Sequence, residues 1–242
     1  MYEYALKTEE IPVRVKVLTE RVAEAAVKSG RRPGEISIVA ATKMNDTPRI
    51  KAAIAAGIRI CGENRVQELR EKQPEGAYEG AELQFIGRLQ TNKVKYLVGN
   101  VSLIQSCDRL ELIDAVSALA VKKGLRQDIL LEIHTGGEES KSGFLPSGLG
   151  AALEYCASKE GIRVRGLMTV PPPAINNEEN LPYFNQMNQL FIDNQCKKYD
   201  NVSMDFLSMG MSADYYTAIL CGANMIRVGS TVFGPRNYGN VL

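Results

Sequence analysis

Lys43 directly follows the apolar run Ile36-Ser37-Ile38-Val39-Ala40-Ala41-Thr42 and precedes Met44-Asn45-Asp46-Thr47-Pro48, a loop that opens a helix. The run reads as a short buried strand. An amine at the inner end of such a strand is partly desolvated. That disfavours its charged form and makes it a candidate nucleophile. The alternative is a lysine whose stem crosses apolar surface while its ammonium reaches water. Two glycine- and serine-rich segments late in the chain offer a second kind of chemistry. Ser208-Met209-Gly210-Met211-Ser212 runs into a helix start, where unpaired N–H groups favour an anion. Gly229-Ser230 offers close backbone approach and a hydroxyl donor. Either loop alone reads equally well as ordinary turn and cap residues. Arg227 is the third element. It shares a strand face with Met225 and Gly229, while Ile226 and Val228 take the other face. The apolar pair belongs against helices, which turns Arg227 inward. A buried guanidinium needs a partner, either a structural ion pair or a basic ring nitrogen of a bound group.

These residues need a frame, and the chain supplies a regular one. A leading helix over Ile11–Lys28 is stopped by Gly30 and Pro33. The spacing then predicts strands over 36–42, 58–61, 83–86, 101–105, 129–134, 162–170, 202–207 and 225–228, each followed by a helical segment. Thr47 is expected to cap the first of these helices with Pro48 in its first turn, and Gly57 ends it. Asp108 and Ser212 are expected to cap later ones, which stop at Gly124 and Gly222. Further helices are expected over 146–159 and 178–198. Eight strand–helix units of about 25–30 residues each give a (β/α)8 TIM-type α/β barrel, a single domain over 1–242 with one extra N-terminal helix. An open doubly wound sheet is the alternative, but the first turn lacks a G-x-G-x-x-G. In such a barrel the C-terminal strand ends carry the site. Here those ends bear Lys43, Asn64, Ser208 with Met209, and Arg227 with Gly229 and Ser230.

Bulk composition narrows the function. The chain has 242 residues, 45% hydrophobic and 24% charged, with 29 basic and 28 acidic side chains. A net charge of +1 gives no support to nucleic-acid binding or to a polybasic membrane contact. No apolar run approaches the roughly 18 residues that span a bilayer, and the first residues do not read as a secretion signal. The five cysteines are scattered without a C-x-x-C, so neither a disulfide framework nor a zinc site is expected. His134, the only histidine, reads as a satisfied strand-end residue rather than part of a triad or metal site. A cytoplasmic, metal-free protein is expected.

A phosphate, an aldehyde-reactive lysine and a group facing a ring nitrogen together describe pyridoxal 5′-phosphate. Five segments also carry a family resemblance. They are Val39-Ala40-Ala41-Thr42-Lys43; Gly62-Glu63-Asn64-Arg65-Val66-Gln67-Glu68; Phe85-Ile86-Gly87-Arg88-Leu89-Gln90-Thr91-Asn92-Lys93; Ser140-Lys141-Ser142-Gly143-Phe144; and Leu207-Ser208-Met209-Gly210-Met211-Ser212 with Arg227-Val228-Gly229-Ser230. In this order, and across nearly the whole chain, they resemble the pyridoxal phosphate homeostasis proteins. The resemblance implies a barrel like the N-terminal domain of alanine racemase, with Lys43 as the Schiff-base lysine. It also implies Asn64 by the cofactor ring, Ser208, Gly229 and Ser230 (beside Met209) on the phosphate, and Arg227 at the pyridine nitrogen. An arginine there disfavours protonating the ring and weakens it as an electron sink. Gln84 and Ser230 stand where the family more often has histidine and threonine.

Three functions compete. The first is a carrier that holds pyridoxal phosphate, buffers a reactive aldehyde and passes it to apo-enzymes, working as a monomer. The second is an amino-acid racemase, which needs an acid–base group on the cofactor face away from the lysine. In the racemases that resemble this barrel a second domain supplies a tyrosine, for which a chain ending at Leu242 leaves no room. Tyr215, Tyr216 and Tyr238 are present, but nothing in the sequence places them opposite Lys43. The third is a barrel aldolase, whose lysine would sit on a central strand, where Met168-Thr169-Val170 offers none. The carrier is the expectation. Lys141, on the loop after the fifth strand, reads as either a solvated residue or a second, transient aldehyde site.

Overall fold

The structure, a computed structural model, describes residues 6–136, 142–172, 179–196 and 199–235. Its eight strands are β1 (Ser37–Ala41), β2 (Ile60–Glu63), β3 (Glu82–Phe85), β4 (Leu103–Cys107), β5 (Gln127–Glu132), β6 (Ile162–Met168), β7 (Val202–Ser208) and β8 (Met225–Val228). Every neighbouring pair is parallel, and β8 closes on β1 through Ser37 against Met225 and Val39 against Arg227. The (β/α)8 barrel is therefore complete. Helices α1 (Ile11–Lys28), α2 (Thr47–Ala55), α3 (Val66–Lys72), α4 (Leu110–Lys122), α5 (Leu149–Ala157), α6 (Leu181–Gln195), α7 (Tyr215–Leu220) and α8 (Ser230–Phe233) surround it. A 3-10 segment, Thr91–Tyr96, serves as the crossover between β3 and β4.

Two apolar cores hold this arrangement. The larger lies between strands and helices and includes Ile104, Ile129, Leu131, Ile226 and Val228. The smaller fills the barrel with Val39, Ala41, Ile86, Leu103, Leu130, Met168 and Met225. Strand alternation produces the division, since Met225 points inward while Ile226 and Val228 point outward. The extra helix α1 buries Ile11, Val15, Leu18, Val22, Ala25 and Ala26, one helical face, against α2, α7 and α8. Gly30 ends it in the left-handed region, at φ 75°, where glycine carries no Cβ penalty.

Local boundaries differ from the sequence expectation in instructive ways. The α2 cap is Asp46, whose side chain accepts from the Arg49 N–H at 3.2 Å, and Thr47 is already the first helical residue. Asp108 does not cap α4; its carboxylate pairs with Arg109 instead. Ser212 does not cap α7, which begins after Asp214; its Oγ accepts from the N–H groups of Gly229 (3.0 Å) and Thr231 (3.3 Å), tying the β7 loop to the β8 loop. Strand β4 begins and ends two residues later than expected, because Gln105 and Ser106 are buried inside strand geometry that polarity alone disguises. The α5 region opens as a 3-10 turn at Pro146–Gly148. Among the described residues no helix is long and apolar enough to cross a membrane.

Candidate functional site

Strand β1 delivers Lys43 to the C-terminal mouth of the barrel, where it is half-buried. The residue after it, Met44, has φ 60°, a left-handed conformation that costs a non-glycine residue roughly 1–3 kcal/mol. Neighbouring side chains hold the turn in place. The Met44 N–H donates to Glu68 Oε2 at 2.6 Å, and the Thr42 Oγ1 hydroxyl donates to Glu63 Oε1 at 2.8 Å. Lys72 joins both carboxylates, with Nζ donating to Glu63 Oε1 (2.7 Å), Glu68 Oε2 (2.8 Å) and the Thr42 carbonyl (3.0 Å). Three N–H donors thus meet three acceptors. The Tyr78 hydroxyl donates to Glu63 Oε1 at 2.9 Å, and the Asn64 N–H donates to Glu63 Oε2 at 3.2 Å. Glu63, Glu68 and Lys72 are all buried. This cluster fixes the backbone on both sides of Lys43 and at Asn64, and sequence reasoning assigned none of its charged members a role. A Glu68–Lys72 pair four apart on one helix, after a glutamate ending an apolar strand, was the available signal.

A cavity of about 630 Å3 opens above this turn, lined by Lys43, Asn64, Ile86, Arg227, Gly229 and Ser230 together with Ala41, Val170, Met211, Ser212 and Ala213. Five of the seven expected site residues therefore meet in one place. Ser208 and Met209 do not line it. Both are fully buried, Met209 in the outer core and Ser208 beneath Arg227. Asn64 presents an Oδ1 that is buried and has no hydrogen-bond partner among the described residues. The Asn64 backbone is set by Gly87, because a Cβ at position 87 would lie 2.1 Å from the Asn64 carbonyl oxygen.

Arg227 turns inward as strand alternation requires, but its partners are neutral. Nη1 donates to the Ser208 carbonyl (2.9 Å) and Ser208 Oγ (2.6 Å), and Nη2 donates to the Thr169 carbonyl (2.8 Å). Ser208 Oγ donates in turn to Gln105 Oε1 at 2.7 Å, and Gln105 Nε2 donates to Gln84 Oε1 at 2.6 Å. A polar chain thus crosses the barrel interior from β8 to β3. Burial lowers the Arg227 pKa to about 10, against the favourable charges of Glu132 and Asp214. Burial raises Glu132, at the end of β5, to about 7; Asp108 pushes the same way, while Arg227 and Arg88 oppose it. The cysteines offer no nucleophile here. Burial pushes the Cys61 and Cys156 thiols up to about 12. His134 is buried just after β5, and its Nε2 finds no partner among the described residues. Lys141 and Ser140 lie outside the described residues, as does Tyr238.

The family of the alanine racemase N-terminal domain matches residues 23–237. A pyridoxal phosphate homeostasis protein of Aquifex aeolicus is 40% identical over 225 residues, covering 93% of this chain and 98% of that protein. The chain belongs to the pyridoxal phosphate homeostasis protein family. A member from Pseudomonas aeruginosa is 33% identical over 95% of this chain and 97% of its own length. Among solved structures, PipY of Synechococcus elongatus with pyridoxal phosphate bound superposes with a TM-score of 0.77 at 30% identity, covering 88% of this chain and all of that one. An alanine racemase of Clostridium difficile shares the fold alone, at 15% identity and a TM-score of 0.67, and this chain covers 57% of its length.

Proposed function

We propose that this protein binds pyridoxal 5′-phosphate in the Lys43 cavity, holds it as a Schiff base, and serves its storage and delivery without catalytic turnover. One observation carries the reading. A strand-end lysine, the β8 loop at Gly229-Ser230, a buried arginine and an asparagine with an orphaned Oδ1 meet in a single cavity. The residues fit the group. Lys43 supplies the amine that adds to the aldehyde with loss of water, and Gly229 and Ser230 flank the space for the phosphate. Ser208 acts behind them by fixing Arg227, with Met209 anchoring the loop in the core. The unpartnered Asn64 Oδ1 is costly until a donor on a bound molecule meets it. The relative whose structure was solved with pyridoxal phosphate bound supports the same assignment.

The cofactor supplies an electrophilic carbon and, in enzymes, an electron sink; Arg227 suits the first role better than the second. Its charge, kept in place by three neutral oxygens, disfavours a protonated ring. Turnover as a racemase needs a second acid–base group, and among the described residues the cavity lining offers no tyrosine, histidine, cysteine or carboxylate. Tyr215 is buried, and the Tyr216 hydroxyl donates to Glu24 on α1, outside the barrel. In this reading the protein acts as a cytoplasmic monomer that passes the cofactor to apo-enzymes.

The test is a visible absorption spectrum before and after borohydride, followed by peptide mass mapping. A yellow band bleached by reduction, with a pyridoxyl adduct on Lys43, is expected. Lys43→Ala is expected to lose the band while keeping the fold. A protein that stays colourless when incubated with pyridoxal phosphate overturns the assignment.

A further inference from the structure

A second cavity, about 1060 Å3, lies over the C-terminal ends of β2, β3 and β4, beside the Lys43 cavity. Five basic side chains line it, Arg65, Arg70, Arg88, Lys93 and Arg109, against one acid, Glu71. In a chain whose overall charge is only +1, such a cluster is not a consequence of composition. The cations arrive from the segments that follow β2, β3 and β4 and face one concavity. Several are held in advance. Arg109 donates to the Leu89 carbonyl (3.1 Å) and Thr91 Oγ1 (3.2 Å) and pairs with Asp108, and the Arg70 guanidinium sits 4.4 Å from the Tyr96 ring centroid. Arg65 keeps a loose 3.9 Å pairing with Glu68. Arg88 makes no hydrogen bond or ion pair among the described residues, and Lys93 only approaches the Tyr96 ring at 6.0 Å. Five cations outnumber the acids near them, Asp108, Glu68 and Glu71, and an anion relieves the repulsion of the excess.

We propose that this cavity is a second ligand site, for a phosphorylated small molecule carrying at least two negative charges. Planar guanidinium forks match phosphate oxygens in pairs, and several arginines converging on one concavity suit a compact polyanion. A long nucleic acid is the poorer occupant, because it calls for a basic stripe and a basic chain. None of the five cations lines the Lys43 cavity, so the proposal does not rest on the cofactor assignment; Asn64 alone borders both spaces.

The test is isothermal titration of the full chain at low salt with inorganic pyrophosphate, adenosine diphosphate and adenosine, with and without prior loading by pyridoxal phosphate. Saturable binding of pyrophosphate in both states is expected, with affinity falling as salt rises. Adenosine diphosphate binding more tightly identifies a nucleotide as the source of the phosphate, and equal affinity identifies the phosphate groups alone. The double variant Arg88→Gln/Lys93→Gln removes two exposed side chains and leaves the fold intact by circular dichroism. It is expected to weaken pyrophosphate by about tenfold or more, the worth of one or two charge-assisted hydrogen bonds. The inference is overturned if millimolar pyrophosphate gives no saturable heat, or if prior cofactor loading abolishes its binding. It is equally overturned if the double variant binds as well as the parent, or if a single-stranded RNA oligomer is held more tightly through the same residues.

Discussion

Replacing Lys72 by methionine tests whether the buried cluster beneath Lys43 is held by charge. Methionine keeps the length of the stem but leaves Glu63 and Glu68 as two neighbouring carboxylates, 0% and 4% exposed, with no cation between them. Breaking a buried ion pair from one side costs about 3–5 kcal/mol. For a domain of this size each kcal/mol lowers the melting temperature by about 2–4 °C, so a fall of about 6–20 °C is expected at pH 7. A second substitution distinguishes charge from packing. The double variant Lys72→Met/Glu68→Gln removes one of the stranded charges and is expected to regain a large part of the loss. Calorimetry or urea titration reads both outcomes. A Lys72→Met protein within about 1 kcal/mol of the parent, or a double variant no more stable than the single one, would refute the reasoning.

Three further perturbations probe other links. Glu132 is raised from its ordinary value of 4.5 to about 7, so the folded protein holds that proton more tightly than the unfolded chain. Its contribution to stability is present below pH 4.5 and lost as the pH rises through 7, by at most about 3 kcal/mol. Glu132→Gln is expected to flatten that slope and to be the more stable form at pH 8; an unchanged slope in urea titrations from pH 5 to 8 assigns it elsewhere. Gly87→Ala drives a Cβ to 2.1 Å from the Asn64 carbonyl oxygen, which is backbone and cannot turn aside. A loss of about 1–3 kcal/mol is expected, together with weaker cofactor uptake in a spectroscopic titration, and normal values for both would show that the close approach relaxes freely. Arg49, buried in α2, donates to the carbonyls of Leu6 (2.6 Å) and Phe233 (2.5 Å). Arg49→Met strands these acceptors and is expected to cost at least about 2 kcal/mol in urea unfolding, whereas a neutral effect would mean that water replaces the guanidinium.

The barrel was legible because its strands repeat at a steady interval and each alternates apolar residues between two cores. Arg227 was placed correctly inside by that alternation alone, since Ile226 and Val228 could only face the helices. Lys43, Asn64, Gly229 and Ser230 were found together because strand ends in a barrel converge, whatever their separation in sequence. Ser208 was expected in the cavity for the same reason, yet it lies a layer deeper, bonded to Arg227 and Gln105. A strand end fixes direction but not depth. The caps were misplaced where two capping types stood side by side, as with Asp46 and Thr47. Lys72 was invisible for a different reason. A lysine on a short charged helix reads as solvated, and only its approach to Glu63 across the fold gives it a buried role.

In the proposed carrier, holding and releasing an aldehyde place opposite demands on Lys43. The turn that carries Lys43 is strained at Met44 and tied to Glu68, Thr42 and Lys72, so the backbone on both sides of the amine is fixed. Among the described residues the mouth above it is open, and Lys43 itself is only half-buried. In the proposed carrier, water reaching the carbon–nitrogen bond of the Schiff base would hydrolyse it back to free aldehyde and amine. An enzyme that must protect a carbanion closes its site against such water. A carrier gains from leaving it open, because release is half of its task. Under the proposed function, the rigid support and the open mouth are consistent with one another and suit exchange of the cofactor better than turnover.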